Sequence, residues 1–197
     1  MINKPKFKIA RRLGPGVFDK TQTPKFNMAK GIGTKRPKAL SEYGTQFLEK
    51  QKVRFSYGIT EKQLSNYVAE ATKTKGAGTV EKFFEELETR LDNVVYRMGL
   101  APSRRGARQM VAHGHFVVNG KRTTVPSYKI RQGDNITVRE GSKGKKLFSN
   151  LANKMKDYTA PNWVSFNIDK MEGKILAKPK NAETFIDFNA VLEFYSR

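Results

Sequence analysis

Ser103-Arg104-Arg105-Gly106-Ala107-Arg108-Gln109-Met110-Val111-Ala112-His113-Gly114-His115-Phe116-Val117-Val118-Asn119-Gly120-Lys121 changes backbone character twice within one short stretch. Ser103 is a favoured N-cap, because its side-chain oxygen can accept from a backbone N–H one turn into a helix. Ala107, Met110 and Val111 recur at helical spacing, and Gly114 suits the left-handed residue that ends a helix. The apolar run Phe116-Val117-Val118 then meets Asn119-Gly120, the strongest two-residue hairpin signal, before Lys121-Arg122-Thr123-Thr124-Val125. Pro126, Gly133-Asp134 and the alternating Ile136-Thr137-Val138 follow. The pattern predicts two helices plus a small twisted sheet, a compact α+β unit over residues 90–140.

The polar face of the Ser103 helix is the informative one. Arg104 and Arg108 lie one turn apart, as do Arg105 and Gln109, so cations crowd a helix end where the dipole is already positive. In isolation that costs a few tenths of a kcal/mol or more per charge. A phosphate there reverses the sign, accepting from free backbone N–H groups and from the arginines together. The competing arrangement is pairing with carboxylates, for which residues 90–140 supply Asp92, Asp134 and Glu140. Phosphate binding is the favoured reading, and the hairpin sets Lys121 beside the arginine-bearing helix to make a concave basic surface.

Moving upstream, Thr79 caps a helix in which Val80, Phe83, Phe84, Leu87, Leu91, Val94, Val95 and Met98 form one apolar stripe that stops at Gly99. Ser41 opens another helix, with Tyr43, Phe47 and Leu48 on one side and Lys50, Lys52 and Arg54 elsewhere. A third begins near Thr60 and carries Leu64, Tyr67, Val68 and Ala71. Phe47, Phe55, Phe83 and Phe84 are assigned to core faces. Residues 1–40 hold Pro5, Pro15, Pro24 and Pro37 among Gly14, Gly16, Gly31 and Gly33, which reads as an extended basic arm. Its Lys4, Lys6, Lys8, Arg11, Arg12, Lys30, Lys35, Arg36 and Lys38 would follow a phosphate backbone, or else form a solvated tail. Downstream, Trp163 to Ile168 alternates like a strand and turns at Glu172-Gly173 into Lys174-Ile175-Leu176, a structural hairpin. The predicted organisation is an arm over 1–40, a helical lobe from 41–89 with 141–197, and the inserted unit over 90–140.

Charge supports a polyanionic partner. The chain has 38 Lys and Arg against 18 Asp and Glu, a net of +20, and self-repulsion on that scale calls for neutralisation. The excess is directional: residues 1–57 carry +11, 58–89 carry −2, 90–140 carry +7 and 141–197 carry +4. A membrane surface would call for an amphipathic basic helix or a lipidation signal, and neither is seen, so a soluble cytoplasmic protein is expected. With no Cys, disulfides, thiolate zinc sites and cysteine nucleophiles are excluded together.

Arg90-Leu91-Asp92-Asn93-Val94-Val95-Tyr96-Arg97-Met98-Gly99, Ala107-Arg108-Gln109, His113-Gly114-His115, Val118-Asn119-Gly120, Pro126-Ser127-Tyr128 and Gly133-Asp134 closely resemble the bacterial small-subunit ribosomal protein S-four family. So do the upstream Tyr43 to Arg54 and the downstream Trp163, Glu172-Gly173 and Val191-Leu192-Glu193-Phe194-Tyr195-Ser196-Arg197. The resemblance implies a helical lobe completed by the C-terminal segment, with the RNA-binding domain inserted between. It implies a primary rRNA-binding protein seated at a multi-helix junction, early in assembly, contributing to translational accuracy near the site where messenger RNA enters. Neighbours would be the small-subunit proteins S-three and S-five, with messenger RNA as a further partner.

The RNA contacts expected on these combined grounds are Lys6, Lys8, Arg11, Arg12, Lys35, Arg36, Lys50, Lys52, Arg54, Tyr57, Arg97, Ser103, Arg104, Arg105, Arg108, Gln109, His113, His115, Asn119, Lys121, Tyr128 and Lys143. Tyr57 and Tyr128 would stack on bases or riboses. Many family members hold the N-terminal segment with a cysteine zinc site; this chain resembles a variant without one, and no cofactor or metal is expected. His113 and His115 alone make a weak metal site. Gly31-Ile32-Gly33-Thr34-Lys35 and Gly141-Ser142-Lys143-Gly144-Lys145 lack the strand–loop–helix context of a nucleotide loop. Arg90-Leu91-Asp92 resembles the catalytic triplet of pseudouridine synthases, but the 57 residues after Glu140 leave no room for a catalytic domain, so no enzyme is expected.

Overall fold

The computed structural model describes residues 5–24, 26, 39–73, 78–149, 151, 155, 158–180 and 185–197. It divides into two compact units, Met1–Phe83 with Asn181–Arg197, and Phe84–Lys180. In chain order the elements used below are α1 (Lys6–Leu13), α2 (Glu42–Tyr57), α3 (Glu61–Thr72), α4 (Thr79–Glu88), α5 (Leu91–Arg97), α6 (Arg104–Ala112), β1 (Phe116–Val118), β2 (Lys121–Thr123), β3 (Asn135–Val138), α7 (Glu140–Lys143), β4 (Val164–Asn167), β5 (Glu172–Ile175) and α8 (Phe188–Ser196).

In the first unit the caps expected at Ser41 and Thr60 form, whereas Thr79 is the first residue of its helix rather than a cap before it. Ser41 Oγ accepts from Gly44 N–H at 3.2 Å, and Thr60 and Gln63 make a reciprocal capping box on α3. Gly58 takes the left-handed conformation, φ 63°, that stops α2 and lets the chain turn into α3. The C-terminal α8, capped by Asp187, packs along α2: Gln46 donates to Glu193 at 3.0 Å, and Arg197 pairs with Glu42 at 2.7 Å. The chain's end thus completes the helical unit through Ile186, Phe188 and Val191 in its core.

The N-terminal arm departs from expectation. Residues 6–13 form α1, whose Ala10 and Leu13 are buried, and two short 3-10 turns follow at Pro15–Val17 and Asp19–Thr21. Ala10, Leu13 and Val17 make one apolar face, which burial rewards although the flanking prolines and glycines mask its period. Pro5 stands at the N-cap, where a missing N–H costs nothing, and Gly14 adopts φ 104° at the end. Lys4, Lys30, Lys35, Arg36 and Lys38 lie outside the described residues.

The stripe from Thr79 to Met98 is two helices rather than one, and the break between them falls in the second unit. Arg90 is extended, φ −64° and ψ 137°, and bridges to Lys129. The break is stabilised because the 126–130 segment takes up the orphaned groups: Leu91 N–H donates to Tyr128 O, Asp92 N–H to Pro126 O, and Ile130 N–H to Thr89 O. The apolar residues keep their phase across the break, so periodicity alone does not reveal it.

β1 and β2 form the expected hairpin, with Asn119 at φ 48° and Gly120 at φ 80°, both left-handed as a primed two-residue turn requires. The sheet order is β2-β1-β3-β5-β4, antiparallel throughout. The 164–175 hairpin, assigned by sequence to the helical lobe, is therefore hydrogen-bonded to β3 through Asn135, Ile136 and Thr137. Gly173 allows the close approach: a Cβ there would lie 2.5 Å from Met98 Cε. One core gathers Leu91, Val94, Met98, Ala107, Val111, Phe116, Ile136 and Trp163 between helices and sheet.

Candidate nucleic-acid interface

α6 buries Ala107, Met110 and Val111, and Ser103 Oγ accepts from Gly106 N–H at 3.2 Å. Ser103 is thus engaged as a cap. Packing of that apolar face turns Arg105 and Gln109 outward, where both are exposed. Arg104 and Arg108 are only partly exposed, and their positions are set from beneath by two buried carboxylates.

Asp92 is 2% exposed and accepts from Arg90 Nε and Nη2 at 3.0 and 2.9 Å and from Arg108 Nε at 2.8 Å. Glu88, fully buried, accepts from Arg97 Nε and Nη2 at 2.8 and 2.9 Å and from Asn93 Nδ2 at 2.9 Å. Asn93 Oδ1 accepts in turn from Arg104 Nε at 2.7 Å, and Arg104 Nη2 stands 3.8 Å from Glu88. The Arg104 guanidinium also lies 4.7 Å from the Tyr96 ring centroid.

Carboxylate pairing, the alternative set against phosphate binding, therefore does occur at Arg97, Arg104 and Arg108. Glu88 was missed because it sits just outside the 90–140 window. Asp92 thus serves both Arg90 and Arg108, and Glu88 serves both Arg97 and Arg104. The buried acids fix the guanidinium planes, which lowers the entropy lost when a further anion binds.

Other expected contacts sort by burial. Arg11, Arg12, Lys8, His113, Lys121 and Tyr128 are exposed, and Lys6 is half-buried with its Nζ 5.8 Å from the Phe18 ring centroid. Lys52 pairs with Glu49, Arg54 stands 3.6 Å from Glu61, and Lys143 pairs with Glu140. Three residues are corrected. Tyr57, 4% exposed, is a core side chain and offers no ring to stack on. Lys50 is buried, paired with Glu61 at 2.8 Å and 4.4 Å from the Phe194 centroid, which holds α2, α3 and α8 together. His115, 5% exposed, has Nδ1 2.9 Å from Ser142 Oγ and packs edge-on to Phe148. Asn119 spends its amide inside the fold, donating to Asp134 at 2.8 Å and accepting from Asn135 N–H at 2.9 Å.

Sequence reading did not single out Arg122 or Arg139, both exposed, and it named the exposed Lys145 only within a stretch rejected as a nucleotide loop. Their signal is electrostatic: His115 titrates below its ordinary value, first because it is buried and then because Lys145, His113, Arg139 and Arg122 surround it with like charge. The Arg122 guanidinium closes over Gly114, where a Cβ would meet its Nε at 2.5 Å. A depressed histidine favours the folded state fully above about pH 6.5, its unfolded value. That contribution is lost as pH falls through 6.5 toward the lower folded value. His115→Asn is expected to lose less stability between pH 7.5 and 5.5 than the unsubstituted chain, read from urea midpoints by fluorescence of Trp163, the single tryptophan. Equal losses would remove His115 as the acid-sensitive group.

Among the described residues no helix is long and apolar enough to cross a membrane, and no cluster of three metal-ligating side chains occurs. Comparison with known proteins accounts for most of the chain. Residues 2–88 match the family profile described as the ribosomal protein S4/S9 N-terminal domain, and residues 89–136 match the S4 domain. A protein of Brevibacillus brevis named small ribosomal subunit protein uS4 is 44% identical over 197 residues, covering 98% of this chain and 97% of its own length. Proteins with the same name from Chromobacterium violaceum and Halothermothrix orenii are 43% and 40% identical, with the same coverage.

Proposed function

The chain belongs to the small ribosomal subunit protein uS4 family, in a form without cysteine, and from that premise we propose that it seats at a multi-helix junction of small-subunit rRNA and nucleates assembly there. Membership carries the coarser role plainly: a structural, non-enzymatic constituent of the small subunit that binds rRNA through an S4 domain. The observation that supports the finer reading is the outward face of α6, with Arg105 and Gln109 exposed beside arginines held by buried acids. Specificity comes from RNA shape, since the deep groove of an A-form helix hides base edges from side chains. A junction offers the splayed phosphates such a rigid basic face can match.

The same reading places the protein in the cytoplasm, near the site where messenger RNA enters, beside S-three and S-five, with an effect on translational accuracy and messenger RNA as a further partner. The pseudouridine synthase alternative has no support at Asp92, which is buried and engaged by two arginines rather than open to a base. Sedimentation tests the proposal: the protein is expected to travel with small subunits at physiological salt and to protect a junction in footprints of purified small-subunit rRNA. A protein that stays free of small subunits, or protection confined to one uninterrupted duplex, would overturn it.

A further inference from the structure

Within the first unit, α1 and α2 border a groove of about 620 Å³. Phe47, Leu48 and Phe55 supply its apolar surface, and Lys8, Arg12 and Arg54 supply cations; the described lining contains no carboxylate. Lys8 and Arg12 are exposed. Arg54 lies along the groove with its Cζ 5.8 Å from the Phe55 centroid, and its Nε is buried with no hydrogen-bond acceptor among the described residues. Its one ionic contact, Nη1 to Glu61, is long at 3.6 Å. A quarter of the Arg54 side chain is exposed, and with Lys8 and Arg12 it gives the groove three cations for an anionic occupant.

We propose that this groove receives one unpaired nucleotide of the bound RNA, its base against Phe47 and Phe55 and its phosphate between Lys8, Arg12 and Arg54. The proposal rests on the rRNA-binding reading and adds to it a site for a single extruded base, on the helical unit and distinct from the α6 surface. The chemistry selects the occupant. Aromatic faces beside cations suit a flat base attached to an anion, as in single-strand recognition. The volume lies in the range that encloses a small ligand, and Gln51 on the wall can exchange hydrogen bonds with a base edge. An acidic peptide would satisfy the cations but leave the rings without a planar partner.

The test uses the full chain with transcribed small-subunit rRNA, and AMP as a free-nucleotide probe. Phe55→Leu is expected to weaken rRNA binding about tenfold with the salt slope unchanged, as loss of stacking does. Arg12→Ala is expected to lower the log-log salt slope by about one unit or less, as loss of one phosphate contact does. AMP is expected to compete only weakly, because the neighbouring strand supplies the rest of the affinity. Unchanged affinity in Phe55→Leu, or saturable AMP binding that leaves rRNA binding intact, overturns the proposal. Should circular dichroism show Phe55→Leu misfolded, Lys8→Ala and Arg12→Ala decide alone, and unchanged slopes in both refute it. Failure of the unsubstituted chain to bind rRNA would instead sink the underlying reading.

Discussion

Asp92→Ala is expected to destabilise the Phe84–Lys180 unit by about 3–5 kcal/mol, the cost of removing one partner from a buried ion pair. Arg90 is 3% exposed and cannot reach bulk water without moving the segment that bridges to Lys129. Without the carboxylate its guanidinium loses both bonds to Asp92 and remains charged, since arginine does not deprotonate in proteins. Arg108 loses its bond to Asp92 in the same step. Trp163 lies in this unit's core, so its fluorescence during urea unfolding isolates the effect from the other unit. Glu140→Ala is the control: its pair with Lys143 is 86% exposed on the acid side, and such pairs contribute within about 1 kcal/mol. A loss below about 1 kcal/mol for Asp92→Ala would mean that Arg90 finds another acceptor, and the buried acids would no longer count as the frame of the arginine face.

That frame marks where sequence reading succeeded and where it stopped. Ser41, Thr60, Ser103 and Asn119-Gly120 were legible because caps and primed turns are local: one side chain meets a backbone group a few residues away. The α4–α5 break was not, because what stabilises it is distant, the carbonyls of Pro126 and Tyr128. α1 was hidden by a proline and glycines that flank rather than interrupt its eight residues. Docking of the 164–175 hairpin on β3 was hidden for the same reason as the break, since strand partners across some forty residues leave no periodic trace.

At the site, residue type was legible and engagement was not. Lys50, Tyr57 and His115 look like RNA contacts in a basic chain, yet each is buried in a polar or aromatic network. Glu88 looks like one acid in a solvated helix, yet it organises Arg97 and, through Asn93, Arg104. Tertiary burial decides which cations are spoken for, and composition cannot.

Engagement in turn decides which arginine reports on phosphate. Binding to small-subunit rRNA is expected to weaken by about 10³ to 10⁵ between 50 and 200 mM salt if six to ten phosphates are neutralised, because each releases condensed counterions. Arg105 is exposed with no partner among the described residues, so Arg105→Ala should flatten the log-log slope by about one unit at little cost in stability. Arg108→Ala should act differently: Arg108 shares Asp92 with Arg90, so its removal frees the acid to pair wholly with Arg90 and shifts the slope by less than Arg105 does. Titrations of the two variants at four salt concentrations separate the roles. Equal slopes for Arg105→Ala and the unsubstituted chain would show that the start of α6 does not meet phosphate. A total loss under tenfold across the salt range would remove phosphate contact as the main source of affinity, despite the net charge of +20.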